Sequence, residues 1–172
     1  MARPHLILFS DLDGTLLDHD DYRWHAAGPA LERLKAANIP LVLNSSKTMP
    51  EIRALREELG NNDPFIVENG AAVVIPPHAL GNAEEEVVNF GATGRFLHAM
   101  GIFDKADGAR FLLNKYKEQY REQYGDGPVL AIALGDSPND QQMLESADIP
   151  VVIRGVKSEE VRLPSAKHAI RS

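Results

Sequence analysis

The sequence HLILFSDLDGT, residues 5–15, contains a short apolar run followed by an acidic loop. The apolar run, His5–Ser10, is typical of a buried β-strand. The strand opens directly into a polar, glycine-containing loop at residues 11–15, which carries the aspartates Asp11 and Asp13 two positions apart. In open α/β sheets ligands bind at the carboxyl ends of the strands, so this loop is the first candidate site in the chain.

The same arrangement of strand, polar loop and helix is repeated along the chain. Further apolar runs predict strands at residues 40–44, 65–67, 129–134 and 150–153. Apolar residues at helical spacing predict helices at 28–37, from 50 onward, at 106–120 and after 140. Strands that alternate with helices indicate an α/β fold with a Rossmann-like, doubly wound parallel sheet. We expect a single core domain over residues 1–172.

The segment from Gly70 to Asp104 breaks this alternation. Residues 71–75 are predicted to be extended up to Pro76 and Pro77, and three glutamates at 84–86 are interpreted as a solvated edge. The apolar stretches 87–90 and 95–98 lie between glycines and favour a short β-hairpin over a helix. We therefore treat residues 70–104 as a small insertion in the core domain.

The composition excludes several classes of function. A formal net charge of −7 without a cluster of basic residues argues against a nucleic-acid partner. The chain contains no cysteine, which excludes disulfides, thiolate metal sites and cysteine nucleophiles, and which is compatible with the cytoplasm. No segment has the roughly 20 apolar residues that span a bilayer, and the N-terminal apolar run is too short for a signal peptide.

Two acidic loops predict a metal site. Asp11 and Asp13 follow the first strand, and Asp136 and Asp140 follow the strand at 129–134. Carboxylates held this close repel one another unless a cation relieves the repulsion, and an oxygen-rich set favours Mg²⁺. Each loop alone is equally consistent with an ordinary turn or helix cap, but their joint occurrence after two buried strands indicates a shared site.

The joint pattern of Asp-Leu-Asp-Gly-Thr at 11–15 and Gly-Asp-Ser-Pro-Asn-Asp at 135–140 resembles the haloacid dehalogenase superfamily. The resemblance implies phosphoryl transfer through a phosphoaspartyl intermediate. Asp11 would be the nucleophile and Asp13 the general acid and base. Asp11, the backbone carbonyl of Asp13, and Asp136 would hold Mg²⁺.

The resemblance also implies roles for residues outside the two acidic loops. Ser45, after the second strand, and Lys105 would bind phosphoryl oxygens. Ser46 is an alternative to Ser45, and Lys105 taken alone is equally typical of a solvated lysine in the first turn of a helix. The supporting and rim candidates are Asp140 and Asn139, beside the metal, and Lys47, Asn69 and Arg95, for the substrate.

Within the superfamily the chain resembles the mannosyl-3-phosphoglycerate phosphatase family. The resemblance rests on residues 11–18, the Ser-Ser-Lys-Thr sequence at 45–48, the Glu-Asn-Gly sequence at 68–70, residues 94–96 with 104–105, and residues 135–140. Members of that family carry a cap domain as a lid between the Glu-Asn-Gly strand and the lysine. Only 35 residues, 70–104, are available here, so we expect a nearly capless phosphatase.

A small phosphorylated metabolite, such as mannosyl-3-phosphoglycerate or another sugar phosphate or phosphoglycerate, is the expected substrate. A noncatalytic phosphoacceptor and a degenerate binding protein of the same fold are the alternatives. The acid/base position of Asp13 favours the enzyme over the phosphoacceptor. Because a small hairpin would leave Val87, Val88, Phe90, Phe96 and Leu97 uncovered, we also expect a homo-oligomer.

Overall fold

A computed structural model describes residues 3–90, 103–164 and 170–171 of the 172-residue chain. Its strands form one eight-stranded sheet in the order β5-β4-β3-β2-β1-β6-β7-β8. The strands are β1 His5–Ser10, β2 Leu41–Asn44, β3 Phe65–Val67, β4 Ala72–Ile75, β5 Glu86–Asn89, β6 Val129–Gly135, β7 Ile149–Val152 and β8 Ile170–Arg171. The α-helices are α1 Gly28–Ala36, α2 Met49–Leu59, α3 Lys105–Tyr124 and α4 Gln141–Ser146.

The connectivity creates a crevice above β1. The chain proceeds from β1 through β2 to β3 on one side and returns through β6 to β7 on the other, and these neighbouring strands are parallel. The strand order therefore reverses at β1, and such a switch point opens a crevice at the carboxyl ends of the strands. The predicted α/β doubly wound fold is confirmed.

Apolar residues on both faces of the sheet explain why helices cover it on both sides, which gives three layers. Ile7, Phe9 and Val42 belong to a core cluster that includes residues of α3 and α4, such as Leu112 and Met143. The alternate strand residues face the opposite core cluster, which packs against α1 and α2. Because side chains alternate along a strand, each short apolar run fills both cores at once.

Local signals set the start of the two helices nearest the crevice. The Glu51 carboxylate accepts hydrogen bonds from the Thr48 backbone N–H at 2.9 Å and from its hydroxyl at 2.6 Å, at the beginning of α2. At the beginning of α3, the Asp104 carboxylate accepts from the N–H groups of Ala106 and Asp107. The Asp107 carboxylate accepts in return from the Asp104 N–H. This reciprocal cap fixes Lys105 as the first residue of α3.

The predicted hairpin is described only in its first arm. A strand does form at Glu86–Asn89, but it pairs antiparallel with β4, with Ala72 opposite Asn89 and Ile75 opposite Glu86. It therefore extends the main sheet, and the predicted second arm at 95–98 lies outside the described residues. The sequence pattern located the strand but could not supply its partner, because pairing depends on long-range register.

The expectation that the apolar residues of this segment are uncovered was wrong for two of them. Val88 and Phe90 pack against the core, and the Phe90 ring meets the Phe111 ring edge to face at 5.6 Å. Val87 remains 41% exposed. The expected solvated edge is confirmed, since Glu84, Glu85 and Glu86 are exposed, although Glu85 also pairs with Arg53 at 2.6 Å.

No helix in the described part of the chain is both long and apolar enough to cross a membrane.

Candidate active site at the carboxyl edge of the sheet

The two acidic loops meet at the carboxyl ends of β1 and β6. Carboxylate oxygens of Asp11, Asp136 and Asp140 lie within 4.8 Å of one another, and all three residues are buried. Asp11 is held in place by its backbone N–H, which donates to the Leu134 carbonyl at 3.0 Å. The predicted convergence of residues separated by more than 120 positions in the sequence is present in the structure.

Lys105 joins this cluster from α3. Its Nζ lies 2.6 Å from Asp11 Oδ1 and 2.7 Å from Asp140 Oδ1, and only 3% of its side chain is exposed. The alternative interpretation, a solvated lysine in a first helical turn, is therefore wrong. The ammonium bridges a strand-end loop and a helix-start loop, so one cation holds two carboxylates at fixed positions.

Burial and mutual repulsion dominate the electrostatics of the cluster. Burial raises the pKa of Asp11 to about 6, although the Lys105 ammonium opposes this rise. Burial and the neighbouring Asp140 also raise the pKa of Asp136. Burial lowers the pKa of Lys105, but Asp11 and Asp140 outweigh it and hold this pKa above its usual value. Three buried carboxylates against one ammonium leave excess negative charge that a further cation would relieve.

Asp140 uses both of its carboxylate oxygens within the protein. Oδ1 accepts from Lys105, and Oδ2 accepts from the N–H groups of Asp136 and Ser137 at 3.1 and 3.2 Å. The Ser137 hydroxyl also donates to Oδ2 at 3.2 Å. Among the described residues, one Asp11 oxygen is in an ion pair and the Asp136 carboxylate is in none, so these two members of the cluster can offer oxygens to a ligand.

Asp13 lies outside the buried carboxylate cluster and forms an ion pair with Lys47. The Lys47 Nζ lies 3.0 Å from Asp13 Oδ1, and the Asp13 side chain is 37% exposed. Asp11 and Asp13 therefore differ in surroundings although they share one loop. Asp11 is enclosed with Lys105, whereas Asp13 is partly exposed beside Lys47. This separation suits two carboxylates with different chemical tasks.

Gly14 allows the two acidic loops to approach each other. Its φ of +76° lies in the left-handed region, and an added Cβ would sit 2.4 Å from Asp136 Oδ2. The Thr15 hydroxyl also reaches Asp136 Oδ1, at 3.4 Å. A side chain at position 14 would have to displace Asp136.

The structure distinguishes Ser45 from Ser46. Ser45 is 1% exposed at the end of β2, and its Oγ accepts from the Lys47 backbone N–H at 3.2 Å. Ser46 is exposed. Ser45 is thus the hydroxyl held at the edge of the sheet, as the interpretation from its position after the apolar run favoured.

The remaining rim candidates are brought together only in part. Asn139 Nδ2 donates to Asn69 Oδ1 at 2.9 Å, so these two residues bridge the loops after β6 and β3 at the surface. Asn69 adopts a left-handed conformation, with φ at 56°. Arg95 lies outside the described residues.

Two residues near the site were missed by sequence reasoning. Asn44 is fully buried, and its Nδ2 donates to the Lys105 backbone carbonyl at 2.8 Å. A polar residue at the end of an otherwise apolar strand was a signal that could have identified it. Tyr22 is 58% exposed on the loop after β1, with its ring centroid 5.4 Å from Lys47 Nζ. No sequence pattern indicated that contact.

The donor set fits a hard divalent cation. Asp11 and Asp136 offer carboxylate oxygens from two separate loops, and the described part of the cluster contains no imidazole or thiolate ligand. Oxygen-only sites of this kind suit Mg²⁺ and related ions better than zinc or copper.

Comparison with known proteins agrees with this geometry. Residues 8–89 match the family of haloacid dehalogenase-like hydrolases. A solved haloacid dehalogenase-like hydrolase from Bacteroides thetaiotaomicron superimposes with a TM-score of 0.62 at 17% identity, over 92% of this chain and 91% of that one. At this identity the match supports the fold alone.

Two relatives with curated names are more similar in sequence. Both are glucosyl-3-phosphoglycerate/mannosyl-3-phosphoglycerate phosphatases. The relative from Methanococcoides burtonii is 29% identical over 255 aligned positions, which span 95% of this chain and 91% of that protein. The relative from Persephonella marina is 30% identical over 244 positions, which span 92% and 89%.

Both alignments are longer than the 172-residue chain, so the relatives contain residues without a counterpart here, in agreement with a shortened lid. The level of identity, its extent and the buried aspartate–lysine cluster lead to one conclusion. The chain belongs to the haloacid dehalogenase superfamily, as a phosphatase that resembles the mannosyl-3-phosphoglycerate phosphatase family.

Proposed function

We propose that this phosphatase is a Mg²⁺-dependent phosphomonoester hydrolase that works through a phosphoaspartyl intermediate on Asp11. The observation that carries the proposal is the enclosure of Asp11 with Lys105 and Asp140 beside Asp136. A buried carboxylate held by an ammonium at 2.6 Å has a fixed orientation, which a nucleophile needs.

Mg²⁺ would be held by Asp11, the backbone carbonyl of Asp13, and Asp136. When bound, the ion would supply positive charge against the phosphoryl oxygens. Asp140 supports this set by holding Lys105 and the N–H groups of the 136–137 loop. Asn139, which bonds to Asn69, supports the same loop from the surface.

The chemical steps are divided between the two aspartates of the first loop. An Asp11 oxygen attacks phosphorus as the bond from phosphorus to the ester oxygen breaks, and Asp13 gives its proton to that leaving oxygen. Asp13 then takes a proton from water as the water oxygen attacks the phosphoaspartyl group. Inorganic phosphate leaves, and the Asp11 carboxylate and protonated Asp13 are restored.

Other residues bind the parts of the substrate. The Ser45 hydroxyl and the Lys105 ammonium bind phosphoryl oxygens whose charge must be stabilised during transfer. Lys47, Asn69 and Arg95 bind the remainder of the substrate. Lys47 is the best supported of the three, because its ammonium already lies against Asp13.

The proposed substrate is a small phosphorylated metabolite in which the phosphate esterifies a hydroxyl of a glycerate or of a sugar. Support comes from the two relatives that are named for glucosyl-3-phosphoglycerate and mannosyl-3-phosphoglycerate. We also propose that the enzyme works in the cytoplasm, without a nucleic-acid or membrane partner. The acidic net charge of −7 and the lack of cysteine are compatible with this.

We further propose that the enzyme is a homo-oligomer. Val87 is an exposed apolar residue on β5, the edge strand of the described sheet, and unpaired edges tend to recruit further strands. Light scattering at micromolar concentration is expected to give at least a dimer. A monomer would contradict this part of the proposal.

Hydrolysis of p-nitrophenyl phosphate tests the proposed reaction. Turnover should require Mg²⁺ and should be lost in Asp11→Asn and Asp13→Asn, while the exposed Asp126→Asn, in the turn before β6, serves as the matched control. Turnover without Mg²⁺, or turnover that survives Asp11→Asn, would contradict the proposal. Stable phosphorylation of Asp11 without release of phosphate would indicate a phosphoacceptor instead.

A further inference from the structure

The mouth of the crevice contains an unusual contact between an exposed aromatic ring and an ammonium. Tyr22 is 58% exposed, and its ring centroid lies 5.4 Å from Lys47 Nζ, within the range of a cation–π interaction. The same Nζ lies 3.0 Å from Asp13 Oδ1. Tyr22, Lys47 and Asp13 therefore form a continuous row from the surface to the acid/base carboxylate.

The loop that carries Tyr22 is held in a strained shape. Tyr22 has a φ of 56°, in the left-handed region that a bulky side chain rarely adopts. Its N–H donates to the Asp18 carbonyl at 3.1 Å, and the Asp18 N–H donates to the Arg23 carbonyl at 2.8 Å. The Asp18 carboxylate accepts from the N–H groups of Asp20 and Asp21. Strain that is maintained by so many hydrogen bonds points to a required position for the ring.

The direction of the leaving group follows from the role of Asp13. If Asp13 protonates the leaving oxygen, then the leaving group lies on the Asp13 side of phosphorus, where Lys47 and Tyr22 are the next side chains outward. With fewer residues available for a lid than in the relatives, contacts from the core loops gain importance for the leaving group.

We propose that Tyr22 and Lys47 form the leaving-group subsite: Lys47 binds a carboxylate of the leaving group, and the Tyr22 ring packs against its sugar. An ammonium suits a second anionic group, and an aromatic face supplies a large, rigid contact area for a sugar ring. Tyr22 is thereby assigned as a specificity-determining residue. This subsite rests on the proposed function, because Asp13 defines the side of phosphorus on which it lies.

Two ratios of kcat/KM separate the two contributions. The first ratio, kcat/KM for 3-phosphoglycerate over that for glycerol 3-phosphate, measures how much the carboxylate of the leaving group contributes. The second ratio, kcat/KM for mannosyl-3-phosphoglycerate over that for 3-phosphoglycerate, measures how much the sugar contributes. Lys47→Met should lower the first ratio by about tenfold or more, as expected for a hydrogen bond to a charged group. Tyr22→Asn should lower the second ratio by about tenfold.

The variants are chosen to preserve the loop. Asparagine adopts the left-handed conformation more readily than other side chains, so Tyr22→Asn removes the ring without adding strain. Tyr22→Phe keeps the ring and should keep the second ratio. Tyr124→Asn removes another exposed tyrosine, at the end of α3, and should change neither ratio.

The outcomes distinguish this subsite from the proposed function. If the wild-type enzyme hydrolyses none of the three esters in Mg²⁺, the proposed function fails and the subsite fails with it. If the wild-type enzyme is active but Tyr22→Asn and Lys47→Met leave both ratios within about twofold of the wild type, only the subsite is overturned. Circular dichroism and melting temperature establish that each variant is folded.

Discussion

The crevice contains two lysines whose ion pairs differ in almost every physical respect. The inner pair joins Lys105 to Asp11 and Asp140, with side chains that are 3%, 10% and 0% exposed. The outer pair joins Lys47 to Asp13, with side chains that are 22% and 37% exposed. Burial makes the inner charges dependent on one another, whereas the outer charges lie in side chains that are in partial contact with water.

This difference in burial indicates that the inner lysine is held in one position, whereas the outer lysine is free to adjust. The inner lysine is fixed by a helix cap at Asp104 and by the hydrogen bond from Asn44 to its backbone carbonyl. A change in the orientation of the Asp11 carboxylate beside it therefore costs free energy. The ammonium of the outer lysine contacts Asp13 and the Tyr22 ring, both of which are partly or largely exposed. In the proposed mechanism, the rigid interior orients Asp11 as the nucleophile, and the partly exposed rim lets Asp13 exchange protons with substrate and water.

The largest expected effect comes from breaking the inner pair. Lys105→Met leaves two buried carboxylates without their cation, and we expect a loss of about 3–5 kcal/mol in the free energy of unfolding. Lys47→Met at the outer pair should cost at most about 1 kcal/mol. Chemical denaturation without added metal measures the free energy of unfolding of both variants. Equal losses in the two variants would contradict the expected difference between the inner and outer ion pairs.

The next largest effect is expected at Gly14. A methyl group there meets Asp136 Oδ2 at 2.4 Å in a backbone conformation that favours glycine, so Gly14→Ala must displace Asp136. We expect Mg²⁺ affinity to fall by about 10- to 100-fold, as for other changes that misorient a ligand. Gly28→Ala, where an added Cβ meets nothing within 4 Å, is the control. Unchanged affinity in Gly14→Ala would argue against Asp136 as a ligand.

Asn44 links the inner pair to the sheet. Asn44→Leu keeps the approximate volume but removes the donor to the Lys105 carbonyl, which should cost about 1–2 kcal/mol and lower kcat. A purely structural role predicts the loss of stability with kcat unchanged. The two parameters, measured by denaturation and by initial rates, therefore decide whether Asn44 positions Lys105.

A smaller effect is expected from pH. Because burial raises the pKa of Asp11 to about 6, protons compete with the cation for this carboxylate as the pH falls through 6. Mg²⁺ affinity should be constant above pH 7 and should weaken below pH 6, by up to about tenfold per pH unit. Calorimetric titrations at pH 7.5, 6.5 and 5.5 measure this. Affinity that is constant down to pH 5.5 would contradict an ionised Asp11 as a ligand.

The sequence was enough to predict the aspartates of the buried cluster, but not the contacts of Lys47 and Tyr22 at the rim of the crevice. Asp11, Ser45 and Asp136 each follow a buried strand, and parallel strands bring their carboxyl ends to one edge whatever the details of packing. Asp140 was predicted together with Asp136 from the second acidic loop. Lys105 could be assigned only through the family resemblance, because its burial depends on how α3 packs.

The features that could not be predicted depend on long-range strand register and on loop conformation. The partner of β5 is β4, a pairing that no local pattern specifies. The contact of Tyr22 with Lys47 arises from a left-handed loop in which a tyrosine replaces the expected glycine or asparagine. Composition and periodicity do not encode such contacts, since they are set by hydrogen bonds within the loop.

A crystal structure of the protein with Mg²⁺ and beryllium fluoride tests the central claim most directly. The account predicts one ion bound by oxygens of both Asp11 and Asp136, with the beryllium fluoride group on the remaining Asp11 oxygen and within hydrogen-bond reach of Ser45 and Lys105. An ion bound without Asp136, or a fluoride group on any carboxylate other than Asp11, would contradict the account.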